Sequence, residues 1–278
     1  MNKKKNRLGP GVRLSITLLA VVGIASLLAP LLAPYGPNEM GPAINQAPSA
    51  DHLFGTDSMG RDLLSRILYG GRASLCIGLM AAAISTGIAM VYGSISGMSR
   101  RWVDRGLMGF ADLMLSVPQI LIVVFLQAVF GKSGYLSLSL ALSIGVTGWM
   151  AMARIIRNEV RRIRETDYVT AARMMGGSFG YILRKHLLPG FLPAVLYAAV
   201  SSIGAAMMTE ATLSFMGLGL PVAEVSWGSL LSDSQNALLS GSWWIILIPG
   251  IVLIGTLIAI AALGEQVRKG NTRLHSNL

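Results

Sequence analysis

Residues 75–98 read LCIGLMAAAISTGIAMVYGSISGM, a run without a single charged side chain. A bilayer core about 30 Å thick is crossed by about 20 apolar residues of helix, so this run predicts a transmembrane span. Working outward, the same pattern recurs in Leu14–Ala33, Gly106–Phe130, Ser133–Ala153, Gly190–Thr209 and Trp243–Gly264. Asp112 lies near the start of the third span, whose Pro118 predicts a kink, and the fifth ends at Glu210. The fold class expected is therefore all-α integral membrane, with six transmembrane helices. Composition agrees: 53% of the 278 residues are hydrophobic and 13% charged, and the mean hydropathy is +0.60. That leaves no room for a large soluble catalytic domain.

The formal charge of +10 is not spread evenly. Of 23 basic residues, five lie in 1–13, three in 100–105, eight in 154–185 and three in 268–273. The segments between carry only Arg61, Arg66, Arg72 and Lys132. By the positive-inside rule both termini are cytoplasmic and the number of spans is even. The charge thus reports membrane orientation, and nucleic acid is not expected as a partner. The N-terminal lysines precede an apolar run of 20 residues ending in Leu32-Ala33-Pro34, too long for a signal h-region and a poor cleavage site, so an uncleaved first helix is expected.

Chemistry on this chain is not expected. Cys76 is the single cysteine and His52, His186 and His275 are far apart, which excludes an internal disulfide and offers no metal-ligand spacing. Gly131-Lys132-Ser133 ends like a phosphate loop, but the glycine required five positions before Gly131 is Leu126. Gly217-Leu-Gly219 has Val222 where a dinucleotide fingerprint needs its third glycine. Any energy from ATP must come from another chain. The 15 methionines read as gap-fillers of apolar helices rather than a metal route.

Between the first two spans, Pro34–His52 reads as an extended external loop. FGTDSMGRDLLSRILY, residues 54–69, then starts as a turn and continues as a helix that Asp57 or Ser58 can cap, expected to lie flat on the outer interface. Asp62 and Arg66 fall at i, i+4 as a surface pair. Two readings stand, a structural elbow and a substrate-contacting surface.

Between spans four and five runs RETDYVTAARMMGGSFGYILRKHLLP, residues 164–189. Thr166 or Asp167 can cap a short helix whose Tyr168, Ala171, Ala172 and Met175 share one face of mostly small side chains. Gly176-Gly177 breaks that helix, Ser178 can cap a second, and Pro189 marks the start of the fifth span. A compact cytoplasmic helix-turn-helix results, with a smooth face that another protein's groove can admit.

Tyr168-Val-Thr-Ala-Ala-Arg173, Gly176, Ile182 and His186-Leu-Leu-Pro189 resemble the EAA coupling motif of ABC importer permeases. Gly55-Thr-Asp-Ser-Met-Gly-Arg-Asp62 and Glu210-Ala-Thr-Leu-Ser-Phe-Met-Gly-Leu-Gly219, followed by Trp227-Gly228, are similar to the dipeptide/oligopeptide/nickel subfamily. The resemblance spans roughly residues 12–265. It implies half of a translocation pathway for peptides, nickel or a related small solute, in the bacterial inner membrane. The implied partners are a homologous permease subunit, two ATP-binding subunits carrying ATP and Mg, an external substrate-binding protein and membrane lipid, with no cofactor on this chain. It implies ATPase contact through Tyr168, Thr170, Ala171, Ala172, Arg173, Gly176, Gly177, Ile182, His186 and Pro189, and an external signature of Gly55, Thr56, Asp57, Gly60, Arg61 and Asp62. Thr170 stands at the motif's namesake glutamate, and the ending Gly264-Glu-Gln-Val-Arg-Lys-Gly270 departs from the family's pattern. The corresponding organisation is a basic N-terminus at 1–13, a first helix and external elbow at 14–74, the permease domain at 75–265 and a tail at 266–278.

Glu210 and Ser214 are pathway or gate candidates, because a carboxylate at membrane depth costs about 2.5–3.5 kcal/mol and must face a partner or a polar path. A structural group hydrogen-bonded near the helix end is the other reading. Ala194, Ala198, Ser202 and Ala206 form a small-residue ridge that suits a partner helix or internal packing, and Gly93 and Gly97 form a second small patch. A secondary transporter needs paired ionisable relays beyond Asp112 and Glu210, and a membrane scaffold has no use for the coupling loop. The sidedness is testable: cysteines placed at Ser178 and Ser234 should label from opposite faces of the membrane, and same-side labelling contradicts the six-span topology.

Overall fold

The computed structural model describes residues 10–131, 136–182, 184–185, 188–221, 223–235, 237 and 241–275. Its helices are α1 (Pro10–Leu27), α2 (Ala29–Leu32), α3 (Leu63–Met98), α4 (Arg101–Ser116), α5 (Gln119–Phe130), α6 (Leu136–Thr147), α7 (Met150–Arg164), α8 (Asp167–Met174), α9 (Phe179–Ile182), α10 (Leu188–Phe215), α11 (Trp227–Asp233) and α12 (Trp244–His275). Among the described residues there is no strand, only an isolated bridge between Thr56 and Asp62. Among the described residues, α1, α3, α10 and α12 are long and apolar enough to cross a membrane, and the count reaches six where each of the bent pairs α4–α5 and α6–α7 is one span.

Several span boundaries differ from those expected, each for a local reason. The first helix stops at Leu27, and Pro30 sits in the first turn of the separate α2. The helix expected to lie flat at residues 63–69 is continuous with the second span, giving a 36-residue α3. At Pro118 the chain does more than kink: α4 and α5 meet at 84°, with Val117, the residue before the proline, in extended backbone. A second break, of 43°, falls between Thr147 and Met150. Ser133, where the fourth span was expected to begin, lies outside the described residues. Glu210 lies inside α10 rather than at its end.

The chain divides into two compact units, residues 1–77 with 207–266, and residues 78–206 with 267–278. In the second unit, α7 buries Ile156, Val160 and Ile163 beside Val169, Ile182 and Phe191. Gly93 and Gly97 of α3 allow this helix to touch α7: a Cβ on Gly93 would stand 2.9 Å from the Ile156 Cβ, and one on Gly97 2.9 Å from that of Val160. The opposite face of α7 is basic and faces α4. Asp104 accepts from Arg157 Nε at 2.8 Å, Arg161 Nη2 at 2.8 Å and Ser96 Oγ at 2.7 Å, pinning α3, α4 and α7 together. Ala198 is buried in the same core, and Ala206 is also covered, so the ridge of α10 packs inside the chain at these positions rather than being offered to a partner.

In the first unit the buried indole of Trp227 donates to the Ile67 carbonyl at 3.0 Å, and Trp244 donates to that of Thr56 at 3.2 Å. Gly93→Ala should lower thermal stability in detergent by about 1–3 kcal/mol, because the helix seam has no room for a methyl group. Gly87→Ala, whose Cβ meets nothing within 4 Å, should be neutral. Equal effects would contradict the close-packed seam.

Candidate functional site

Three constellations expected from sequence are assembled by the fold. The first is the segment after α7. Arg164 closes α7 by donating from Nη1 to the carbonyls of Gly97, Met98 and Ser99, at 3.2, 3.1 and 3.4 Å, which caps the C-terminal end of α3 with a cation. Thr166 donates to the Ile163 carbonyl instead of capping α8. Val169 and Ile182 are buried in the core, whereas Tyr168, Thr170 and Ala171 are exposed, as are Met174 at 84% and Met175 at 88%.

The turn that ends α8 has a defined geometry. Gly176 has φ +84°, and the Gly177 N–H donates to the Ala172 carbonyl at 3.0 Å. A left-handed residue followed by this six-to-one bond is a Schellman cap, for which glycine carries no Cβ penalty. Gly177 also lies too close to the Ala172 carbonyl for a side chain. Ser178 accepts from the Tyr181 N–H at 3.3 Å and so starts α9 as expected. Pro189 falls in the first turn of α10. Arg173 is carried on α8, and His186 lies outside the described residues.

The second constellation is the segment Gly55–Arg66, a buried electrostatic node in which Asp62 and Arg66 are not the exposed surface pair expected. Asp57 Oδ1 accepts from the backbone N–H groups of Met59 and Arg61 at 2.9 and 3.0 Å. Its Oδ2 accepts from Arg61 Nε at 2.7 Å and Arg66 Nη1 at 2.6 Å. Both arginines extend Nη2 to Asp233 Oδ2, each at 2.9 Å. Arg66 therefore pairs with Asp57 and Asp233, not with Asp62. Asp62 instead caps α3, accepting from the Ser65 N–H and Oγ at 2.8 and 2.7 Å, and meets His52 Nδ1 at 3.0 Å. Thr56 donates to the Ala43 carbonyl and accepts from the Gln46 N–H at 2.9 Å. Gly55 and Gly60 both have positive φ, and a side chain on Gly60 would strike the Gly41 backbone.

The third constellation surrounds Glu210. Its carboxylate is fully buried and accepts from Ser214 Oγ at 2.8 Å and Ser74 Oγ at 3.2 Å, with Ser226 a third hydroxyl partner. Ser74 Oγ in turn accepts from the Trp227 N–H at 3.1 Å. The carboxylate thus links α3, α10 and the start of α11. Gly219 and Gly228 permit this, since a Cβ on either would overlap Ser214 or Ala211.

Residues 89–269 match the family described as the binding-protein-dependent transport system inner membrane component. The chain belongs to that family. It is a permease subunit of an ABC importer and not its ATPase. It is 36% identical to the dipeptide transport system permease protein DppC of Bacillus subtilis, over 95% of this chain and 81% of that protein. It is 37% identical to a putative peptide transport system permease protein of Brucella suis, over 92% and 85% of the two chains. The fold resembles that of an inward-facing MetNI methionine ABC transporter structure, with a TM-score of 0.58 and 20% identity, over 73% of this chain and 94% of that one.

Among the polar partners that hold this permease together, Asp233, Ser74, Ser226 and Asp104 are not marked by any motif reading. Asp104 and Asp233 do carry a signal, as carboxylates in or beside apolar runs with arginines elsewhere to match. Asp57→Ala should cost about 3–5 kcal/mol, since it leaves two buried guanidiniums short of a counter-charge. Asp233→Ala should cost less, because Asp233 is 37% exposed and Asp57 remains. Thermal unfolding in detergent checks the order, and a reversed order would contradict the node as described.

Proposed function

We propose that this permease forms half of the translocation pathway of an ATP-driven peptide importer in the bacterial inner membrane, with both termini cytoplasmic. The other half is a homologous permease subunit. Two ATP-binding subunits supply ATP hydrolysis with Mg, and an external binding protein delivers the peptide. Peptide as cargo is supported by the similarity to dipeptide and peptide transport permeases, which runs nearly end to end along the chain.

The observation that carries the coupling role is the exposure pattern of α8. Val169 and Ile182 anchor the segment in the core, while Tyr168, Ala171, Met174 and Met175 project away from it. An anchored helix with a solvent-exposed face moves as one body with the core when a partner pushes on it. On this reading Tyr168, Thr170, Ala171, Ala172, Arg173, Gly176 and Gly177 meet the ATPase, with Ile182, His186 and Pro189 supporting them. Alternating access then follows from rocking of the core helices each time the ATPases close. The node of Gly55, Thr56, Asp57, Gly60, Arg61 and Asp62 serves as the external strut that α3 pivots on. Glu210 and Ser214 act as a hydrogen-bonded joint in the wall of the gate.

Gly176 tests this reading, because a Cβ there meets nothing within this chain. Gly176→Val is penalised by its positive φ and obstructs a partner surface, whereas Gly176→Asn tolerates the left-handed region. In reconstituted complexes the valine variant should reach the membrane yet lose most peptide-stimulated ATPase activity and uptake. The asparagine variant should retain more of both. Normal coupling in the valine variant would contradict a mechanical role for this turn.

A further inference from the structure

Arg100 ends the short turn between α3 and α4, Arg101 begins α4, and Arg105 lies one helical turn further on. All three are exposed, and none makes an ion pair or a side-chain hydrogen bond among the described residues. The two carboxylates of α4 are engaged elsewhere. Asp104 is taken by Arg157 and Arg161 of α7, and Asp112 pairs with Arg154. Three positive charges therefore stand close together without a counter-charge among the described residues.

The helix that carries them has three distinct faces. Asp104 and Ala111 lie on the buried face, against the core that α7 forms. Arg101 and Arg105, at i and i+4, share an exposed charged strip. Beside that strip, Trp102, Gly106, Gly109 and Leu113 follow at i, i+4, i+7 and i+11 along an open apolar stripe, with Trp102 72% and Leu113 71% exposed. A Cβ on Gly106 or Gly109 would meet nothing within 4 Å, so between Trp102 and Leu113 the helix backbone itself is the surface. The stripe is a shallow apolar channel along the helix, with guanidiniums beside its Trp102 end.

Chain order places this end of α4 relative to the membrane. α3 is long and apolar enough to cross, and α4–α5 is the next candidate span, so the turn that joins them lies at a membrane face. We propose that the open side of α4 is a binding site for an anionic phospholipid. The negative headgroup meets Arg101 and Arg105, with Arg100 alongside, and one acyl chain lies over Gly106 and Gly109 between Trp102 and Leu113. Basic residues at the bilayer surface attract anionic headgroups, and tryptophan settles at the same boundary. A soluble phosphate has no use for the apolar stripe, and a neutral lipid leaves the arginines unmatched. The leaflet is the cytoplasmic one on the topology proposed above. Asp104 pins α4 to α7, so a lipid held here bears on the helix that leads into α8.

The test places the assembled transporter in phosphatidylcholine nanodiscs that contain increasing fractions of brominated phosphatidylglycerol, or of brominated phosphatidylcholine. Both faces of a disc carry the same lipid, so the outcome does not depend on which face is cytoplasmic. Trp102 is read as the difference in fluorescence quenching between the unmodified chain and Trp102→Phe. Brominated phosphatidylglycerol should quench Trp102 at a lower mole fraction than brominated phosphatidylcholine. Arg101→Gln and Arg105→Gln should each raise the half-quenching fraction of the anionic lipid about fivefold and leave that of the neutral lipid unchanged. The two lysine variants, which keep the charge, should retain most of the preference. Equal quenching by the two lipids, or an anionic preference that survives both glutamine substitutions, would overturn the site. A Trp102 shielded from both lipids, as when another subunit covers α4, would overturn it as well. Thermal unfolding in neutral detergent should be the same for the glutamine variants and the unmodified chain, and a clear loss of stability there would assign the arginines a structural role instead.

Discussion

A charged or polar group that leaves water must be met inside the protein, and this constraint organises most of the structure. Asp57 and Asp233 neutralise Arg61 and Arg66, Asp104 gathers Arg157, Arg161 and Ser96, and three serine hydroxyls surround Glu210. Each cluster joins segments far apart in sequence. Apolar burial between helices supplies little direction in a membrane, where lipid is as apolar as leucine, so satisfied polar groups and close backbone contacts select the packing. The glycines serve the second need: Gly93 and Gly97 bring α3 against α7, and Gly219 and Gly228 admit the Glu210 cluster.

The same anchoring gives the proposed mechanism its stiffness. α7 is bound along its length to α3 and α4 by Asp104 and capped onto the end of α3 by Arg164, and α8 follows within three residues. A displacement at α8 is therefore delivered to three helices at once instead of being absorbed in a flexible loop. The breaks at Pro118 and Gly148 mark where such a rigid group can change angle relative to its continuation.

Much of this was legible in the sequence. The uncharged runs mark the four membrane-length helices and the two bent pairs, and Gly176-Gly177 after a short periodic helix marks the turn now seen with positive φ at Gly176. The readings that failed did so for a common reason. Asp62 and Arg66 look like a helical surface pair because spacing encodes only local neighbours. Their partners, His52 and Asp233, lie 10 and 167 residues away. The alanine ridge of α10 was readable as close packing, but periodicity does not say against what, and Ala198 turns out to face the chain's own core. The extended α3 was hidden because Arg66 and Arg72 interrupt the apolar run, although Arg66 is neutralised by carboxylates from elsewhere in the fold.

The most direct measurement is thiol cross-linking from the exposed face of α8 in intact membranes. In a Cys76→Ser background, Ala171→Cys treated with a short bifunctional reagent should join this chain to a co-expressed ATP-binding subunit. The yield should change between nucleotide-free and ATP-bound conditions. Cross-linking of that subunit from Ser234→Cys, with none from Ala171→Cys, would contradict the account.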